Sequence, residues 1–450
     1  MPVRPPPAAF DLDVPLLIVG AGACGLTAAL AAADAGVAPL VVEADPTPAG
    51  STALSAGLIP AAGTALQRAA GIADDPARFA ADIQAKAHHE NPQALVDLLA
   101  GAAAPAIDWL VGVHGLPFSL VDDFDYPGHS RRRMHGLPSR SGRELVDRLR
   151  AACDARGVDI VCDRRAKALF VDGDRIVGVE LAAPDGPETI GCDALVLACN
   201  GYGGDRDLIR EHMPEIADAL WFGHDGNRGD ALRWGEALGA PGRHLGAYQG
   251  HGNVAHPHGI LITWATVTAG GVQVNGEGRR FWDESQGYSE AARAVLAQPG
   301  GTAWTIFDAR IAAIARQFED FRQAEAVGAI LAADTASELA GMTGLPEDAL
   351  IESLAHFDPD PFERRFDGPP LSAPFRAVRV TGALFHTQGG LDVDACARVR
   401  RTDGTVIPNL FAAGGAALGV SGTGDSGYLS GNGLLSAVAL GRIAGVAAAE

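Results

Sequence analysis

Leu16-Leu17-Ile18-Val19-Gly20-Ala21-Gly22-Ala23-Cys24-Gly25 reads as a short apolar strand running into a glycine-rich turn. An Ala-rich helical stretch follows from Leu26 to Ala35. A second strand runs from Val37 to Val42 and ends in Glu43. Each glycine has a separate task. Gly20 makes the tight turn, Gly22 lets a pyrophosphate approach the backbone, and Gly25 lets the helix pack on the strand. The helix start offers unpaired N–H groups, including that of Ala23, to phosphates. Glu43 can accept both hydroxyls of an adenosine ribose, which favours an unphosphorylated one. The order strand, turn, helix, strand, acid predicts dinucleotide binding, with NAD and FAD both open.

The chain has 450 residues, which points to two domains. A net charge of −20 excludes nucleic acid and anionic membrane as partners, since both need a basic surface. No apolar run reads as long enough to cross a bilayer, and Met1-Pro2-Val3-Arg4-Pro5-Pro6-Pro7 lacks the apolar core of a signal peptide. The six cysteines are scattered, with no pair at metal-ligand spacing. The expectation is isolated thiols in a cytoplasmic protein, with Cys24 a packing residue and no metal.

Helical patterning covers 77–113, with a break at Pro92, and an amphipathic helix opened by Pro138–Leu145 runs to about Arg156. Val158–Cys162 reads as a strand. Ala168–Val171 and Ile176–Leu181 form a hairpin about Asp172-Gly173-Asp174-Arg175. Ala194–Cys199 is a buried strand leading to Asn200-Gly201, and Asn227–Ala231 starts another helix. Ile311–Leu331 and Pro346–His356 read as amphipathic helices. A last helix starts near Gly431.

The segments between resemble the catalytic stretches of the fumarate reductase and succinate dehydrogenase flavoproteins. Gln249-Gly250-His251 is similar to the family's Gln-x-His. Thr263-Trp264 falls at its Thr-Glu, Val274–Phe281 matches closely, and His386-Thr387-Gln388-Gly389-Gly390 matches its His-Thr-x-Gly-Gly. The resemblance implies an α/β fold, with a Rossmann-type FAD-binding domain over 1–247 and 387–450 and an inserted α+β capping domain over 248–386. It implies FAD contacts from Gly50, Ser51, Thr52, Ser55, Gly57, Gly414, Gly431, Asn432 and Leu434, besides Gly20, Gly22, Ala23, Gly25 and Glu43. Ser51 stands where succinate dehydrogenases bond flavin to a histidine, so non-covalent FAD is implied. Gly415 replaces an acid that contacts the flavin ribityl chain.

Two departures bear on the substrate. Tyr288 and Tyr428 occupy the positions of the family's two arginines, and the acid after Thr263 is Trp264. Guanidinium forks clamp carboxylates; phenols instead hydrogen-bond a ketone oxygen or, as phenolates, take a proton. A fumarate-like dianion is therefore not expected. Tyr428-Leu429-Ser430-Gly431 resembles the run that opens the last helix in 3-ketosteroid dehydrogenases of the same superfamily. The resemblance implies removal of a hydride from the carbon β to a ketone, to flavin N5, with tyrosine-assisted loss of the α proton. The substrate would be a 3-ketosteroid or a smaller cyclic ketone. Tyr288 is the expected base, and Tyr428 with Ser430 the carbonyl partner or relay, although the roles are exchangeable. His251 and His386 would line the pocket with Thr263 and Trp264, and Tyr126 is a third candidate phenol. Tyr202, Tyr248, His129, His135, His244, His256 and His258 read as structural or surface residues. The electron acceptor is open. The alternative is an ene-reductase of the fumarate reductase type fed by an external donor.

Overall fold

A computed structural model describes residues 2–122, 126–355, 360–364, 366 and 368–450. The chain divides into two compact units: one of Met1–His212, Gly223–Tyr248 and His386–Glu450, the other of Met213–Phe222 and Gln249–Phe385.

The first unit is built on a nine-stranded sheet. Strand Leu12–Val19, with Leu16, Leu17 and Ile18 fully buried, pairs in parallel with Pro39–Val42 and with Gly186–Leu197. Near-continuous apolar runs are what a parallel sheet covered on both faces requires. Gly186–Leu197 has two characters. Its first half makes an antiparallel hairpin with Arg175–Ala183; its second half lies in parallel between Leu12–Val19 and Val406–Ala412. Helix Ala23–Asp34 covers the sheet and is buried from Ala23 to Ala32. At its start the packing leaves no room for side chains: a Cβ on Gly25 would lie 1.8 Å from the Gly20 carbonyl oxygen. Helices Pro76–Lys86 and Gln93–Gly112 flank Pro92, and Ser141 caps Gly142–Ala155 through Arg143 N.

Helix Gln93–Gly112 corrects one sequence reading. By length and composition it is long and apolar enough to cross a membrane, and half of its apolar window is buried inside the protein. Asp97 and Asp108 interrupt the apolar run without shortening the helix. Leu95, Val96, Leu99, Ile107 and Leu110 pack into the core, and Asp108 accepts the Ala65 backbone N–H at 3.0 Å.

The second unit holds a seven-stranded sheet around the long strand Phe375–Thr387. Thr302–Asp308 and Ile330–Ala333 pair with it antiparallel, and Leu220–Trp221 pairs with it in parallel. The single helix expected over Ile311–Leu331 is instead Ala309–Ala315, Glu319–Ala326 and that strand. Asp308 caps the first piece by accepting the Ile311 N–H at 2.9 Å. The strand's pairing with Phe375–Thr387 overrides the helical spacing of its apolar residues. The helix after Pro346 spans Glu347–Leu354; His356 and Pro359 lie outside the described residues.

Candidate active site

The nucleotide turn sets the frame of the first unit. Glu43 accepts N–H groups from Ala21 (2.7 Å) and Asp45 (3.0 Å), and a carboxylate has acceptor capacity left for ribose hydroxyls. Gly22 starts helix Ala23–Asp34 with no side-chain cap, and a Cβ on it would meet only Thr52 Oγ1, at 3.4 Å. The turn is thus open to an anion at Gly22, but the Ala21 N–H goes to Glu43 and the Ala23 N–H, expected to face a phosphate, is taken by Thr52. Thr52 Oγ1 accepts the Ala23 N–H, while Ser55 Oγ donates to the Thr52 carbonyl and accepts from Gly57 N. A Cβ on Gly50 would meet nothing within 4 Å; one on Gly414 would touch Cys24. Ser51 Oγ accepts two amide N–H bonds, from Asn200 (3.0 Å) and Asn227 (2.9 Å). On the last helix, Asn432 and Ser436 each bury a polar oxygen with no partner among the described residues, a cost that a bound group would relieve; Leu434 is half-buried beside them. This donor and acceptor set suits FAD. Gly415 also finds its reason: a Cβ there would lie 2.0 Å from Asn200 Oδ1, so Asn200 fills the space of the missing acid.

The C-terminal part of this unit brings Tyr428, Ser430 and His386 together. Gly431, at φ 89°, begins helix Asn432–Leu435, and Tyr428 and Ser430 are buried just before it. His386 and Tyr428 meet edge to face with ring centroids 5.5 Å apart. Burial pushes the Tyr428 phenol up to about 12, against the N–H groups of Gly433 and Gly431, which favour the phenolate. Burial pulls His386 down to about 4. Both are therefore uncharged near neutral pH. Gln388 donates to His386 Nδ1 at 2.7 Å. Tyr126 is half-buried, and its neighbour Gly128 abuts Leu429: a Cβ on Gly128 would lie 2.7 Å from Leu429 Cδ1. Asp125 lies outside the described residues.

In the second unit His251, Trp264 and Tyr288 form an aromatic cluster. His251 stacks on Tyr288 (5.0 Å, 18°) and on Phe385 (5.3 Å, 22°), and meets Trp264 edge to face at 5.8 Å. Tyr288 opens helix Tyr288–Leu296, preceded by Gly287 at φ 132°. His251 Nδ1 accepts the Asn253 N–H at 3.2 Å, which places its proton on Nε2. Burial lowers its pKa to about 3. The Trp264 indole N–H is buried with no partner among the described residues. Thr263 is half-buried and holds the turn before Ala265–Thr268, its hydroxyl accepting from Ala265 N and its carbonyl from Thr266 Oγ1.

Two residues escaped the sequence reading. His129 is half-buried, and its Nε2 lies 2.9 Å from the Ser430 carbonyl. Arg133 donates to its Nδ1 at 3.3 Å, so Nε2 carries the proton and donates to Ser430. Arg133 is itself fully buried and paired with Asp74 and Asp82. His129 is thus neither surface nor idle; it ties the Tyr428–Gly431 run to a buried ion cluster. Gln388 is the second, at the variable position of the His-Thr-x-Gly-Gly motif. The triple Arg131-Arg132-Arg133 after His129 was the available signal for the first; none marked the second. Tyr202 is fully buried, with its hydroxyl donating to the Leu245 carbonyl, a structural role.

A family model described as FAD binding domain matches residues 15–434. The chain is 32% identical over 449 residues to a probable fumarate reductase, Ifc3, of Shewanella frigidimarina, covering 97% of this chain and 74% of that one. It is 27% identical over 399 residues to a 4-oxocyclohexanecarboxylate 2-dehydrogenase of Sinomonas cyclohexanicum, covering 74% and 69%. In structure it resembles an open flavocytochrome c3 fumarate reductase (TM-score 0.83, 30% identity, 98% of this chain and 79% of that one). It shares the fold of 3-ketosteroid-Δ4-(5α)-dehydrogenase from Rhodococcus jostii RHA1 (TM-score 0.77, 23% identity, 99% and 100%). With the nucleotide turn, Glu43 and the retained histidine motifs in place, the chain is an FAD-dependent oxidoreductase and belongs to the fumarate reductase/succinate dehydrogenase flavoprotein superfamily.

Proposed function

We propose that this protein desaturates the α,β carbons of a ketone, either a 3-ketosteroid or a smaller cyclic ketone. The observation that carries this reading is the absence of positive charge on the groups that stand where the family has its carboxylate clamp. Tyr288 and Tyr428 stand at the two arginine positions. His251, His386 and Tyr428 are held neutral by burial. A dianion placed among neutral groups would lose the pairing that offsets its desolvation, a cost of several kcal/mol. A ketone needs only hydrogen-bond donors, and the two histidines, Tyr428 and the unpartnered Trp264 N–H are donors.

We assign Tyr428 to the carbonyl oxygen, with Ser430 as its relay: a phenol whose pKa lies near 12 keeps its proton and donates it. Tyr288 is the base for the α proton, because the positive end of helix Tyr288–Leu296 favours a phenolate at its first residue. Non-covalent FAD, which the Gly20–Gly25 turn, Glu43 and Thr52 would hold, would supply the two-electron oxidant for the β hydride. Thr263, Trp264 and Tyr126 shape the pocket in this reading, with Gln249–Phe385 acting as the cap. In this reading the protein works in the cytoplasm, and the electron acceptor is open.

A second reading has its own support: relatives at 27–32% identity include fumarate reductases and an NADH:acrylate oxidoreductase. On that view the same groups protonate and reduce an activated alkene, with electrons from an external donor. One anaerobic experiment separates the two. The yellow protein is mixed with 3-ketosteroids, cyclohexanones, 4-oxocyclohexanecarboxylate and succinate while the flavin absorbance is followed. Bleaching by a ketone is the expected result. Bleaching by succinate alone would overturn the ketone reading. No bleaching by any of them, with reoxidation of the dithionite-reduced protein by an enone, would establish the reductase.

A further inference from the structure

We propose that Gln388 is a positioning residue that fixes His386 as an Nε2–H donor, at the end of a one-way hydrogen-bond chain that begins at the Val420 carbonyl. The direction follows from what each atom can do. A carbonyl only accepts, so the Asn432 side-chain atom 3.0 Å from Val420 O is the amide nitrogen. The same nitrogen lies 3.1 Å from Ser421 Oγ, which therefore accepts. Ser421 has one proton to give, and it goes to Gln388 Oε1 at 2.7 Å. That turns the Gln388 NH₂ toward His386 Nδ1, at 2.7 Å. An amide NH₂ only donates, so Nδ1 accepts and the ring proton sits on Nε2.

One contact pulls the other way. The Thr387 carbonyl lies 3.3 Å from Nδ1 and would favour a proton there. The Gln388 bond is shorter, and its NH₂ also reaches that carbonyl at 3.5 Å. Reversing the Gln388 amide would give Ser421 a second donor and leave the Ser421 proton without an acceptor among the described residues, in a fully buried place. The one-way arrangement satisfies each of these groups.

His386 is half-buried and neutral, so its tautomer decides what it offers a ligand. A Cβ on Gly433 would come within 2.9 Å of Nε2 and 2.7 Å of Cε1, so only glycine lets this edge of the ring lie on the first turn of the last helix, beside Tyr428. With the proton on Nε2, His386 and Tyr428 are neighbouring donors for one oxygen. With the proton on Nδ1, a lone pair would face that oxygen instead. The tautomer stands on the hydrogen bonds alone; its effect on turnover rests on the ketone reading above.

The test is ¹⁵N spectroscopy of the holoprotein with labelled histidine, His386 being assigned by the signals lost in His386→Gln. The expected pattern is a pyrrole-like Nε2 and a pyridine-like Nδ1. Gln388→Met keeps the length of the side chain and removes the donor, so the Thr387 carbonyl should draw the proton to Nδ1 and invert the pattern. Turnover should then fall about a hundredfold in kcat, with a smaller change in KM and an unchanged flavin spectrum. Ser421→Ala, one step upstream, should shift the pattern the same way by less. A pyridine-like Nε2 in the wild type overturns the proposal, whether or not the variants fold, and so does an unaltered pattern in Gln388→Met. The expected inversion with unchanged ketone turnover keeps the positioning role and removes His386 from the proposed reaction.

Discussion

The two units each carry a histidine and a tyrosine, and they hold them by different means. In the Gln249–Phe385 unit the cluster is packed. His251 lies against Tyr288 and Phe385 face to face, and its tautomer is set by one backbone N–H, that of Asn253. In the other unit the cluster is wired. Gln388, Ser421 and Asn432 set His386, while His129 and Arg133 brace Ser430. A backbone donor survives any substitution except proline, so the packed cluster depends on shape. The wired one depends on the identity of individual polar side chains, and a single methyl-for-amide exchange reaches it.

The largest expected effect falls on the packed half. Tyr288→Phe keeps the stacking and removes the hydroxyl, so turnover should drop by about 10²–10⁴ with the flavin spectrum intact. Full activity would remove Tyr288 as the base. Arg133→Ala strips the partner from buried Asp74 and Asp82 and should cost about 3–5 kcal/mol, read in denaturant unfolding. Loss of stability without weaker ketone turnover at permissive temperature would confine the brace to folding. Tyr428→Phe removes one donor and should cost about 10² in kcat.

A smaller effect concerns pH. His135 and His251 are buried, His129 and His386 half-buried, and desolvation lowers their pKa values to about 4, 3, 4 and 4, below the 6.5 of an exposed histidine. The unfolded chain therefore binds more protons below pH 6.5. The stability these groups contribute is complete above that value and is lost as the pH falls toward 4. Unfolding midpoints measured from pH 7 to 4 should decline across that window, and less steeply in His135→Asn. The smallest expected effect is none at all: Tyr428→Arg should not confer fumarate reduction, since Tyr288 and Trp264 remain. Appearance of that activity would show that one guanidinium suffices and would weaken the contrast with the carboxylate-binding relatives.

Much of this was legible because it is local. The glycines at 20, 22 and 25 and the acid at 43 lie within one strand-turn-helix-strand unit, and such spacing is written in the chain. The histidine and tyrosine positions came through short motifs of fixed length. What stayed hidden is long-range and unpatterned. Ser51 is held by Asn200 and Asn227, and Ser430 by His129 from 301 residues away. A single polar side chain satisfying a distant carbonyl leaves no periodicity behind. The helix expected over Ile311–Leu331 failed for a related reason: Ile330–Ala333 is a strand only because Phe375–Thr387 arrives to pair with it.

The first unit is assembled from three stretches of chain, and the last of them, His386–Glu450, is made after the Gln249–Phe385 stretch of the second unit. It contributes strand Val406–Ala412 against Gly186–Leu197, along with Gln388, Ser421, Tyr428 and the closing helix. On the ribosome the N-terminal strands must wait, one edge of Gly186–Leu197 unpaired, while some 137 residues of the second unit emerge and fold. Exposed edges of this kind invite wrong partners. The residues that close the sheet edge thus lie in the same stretch of chain as Gln388, Ser421 and Tyr428.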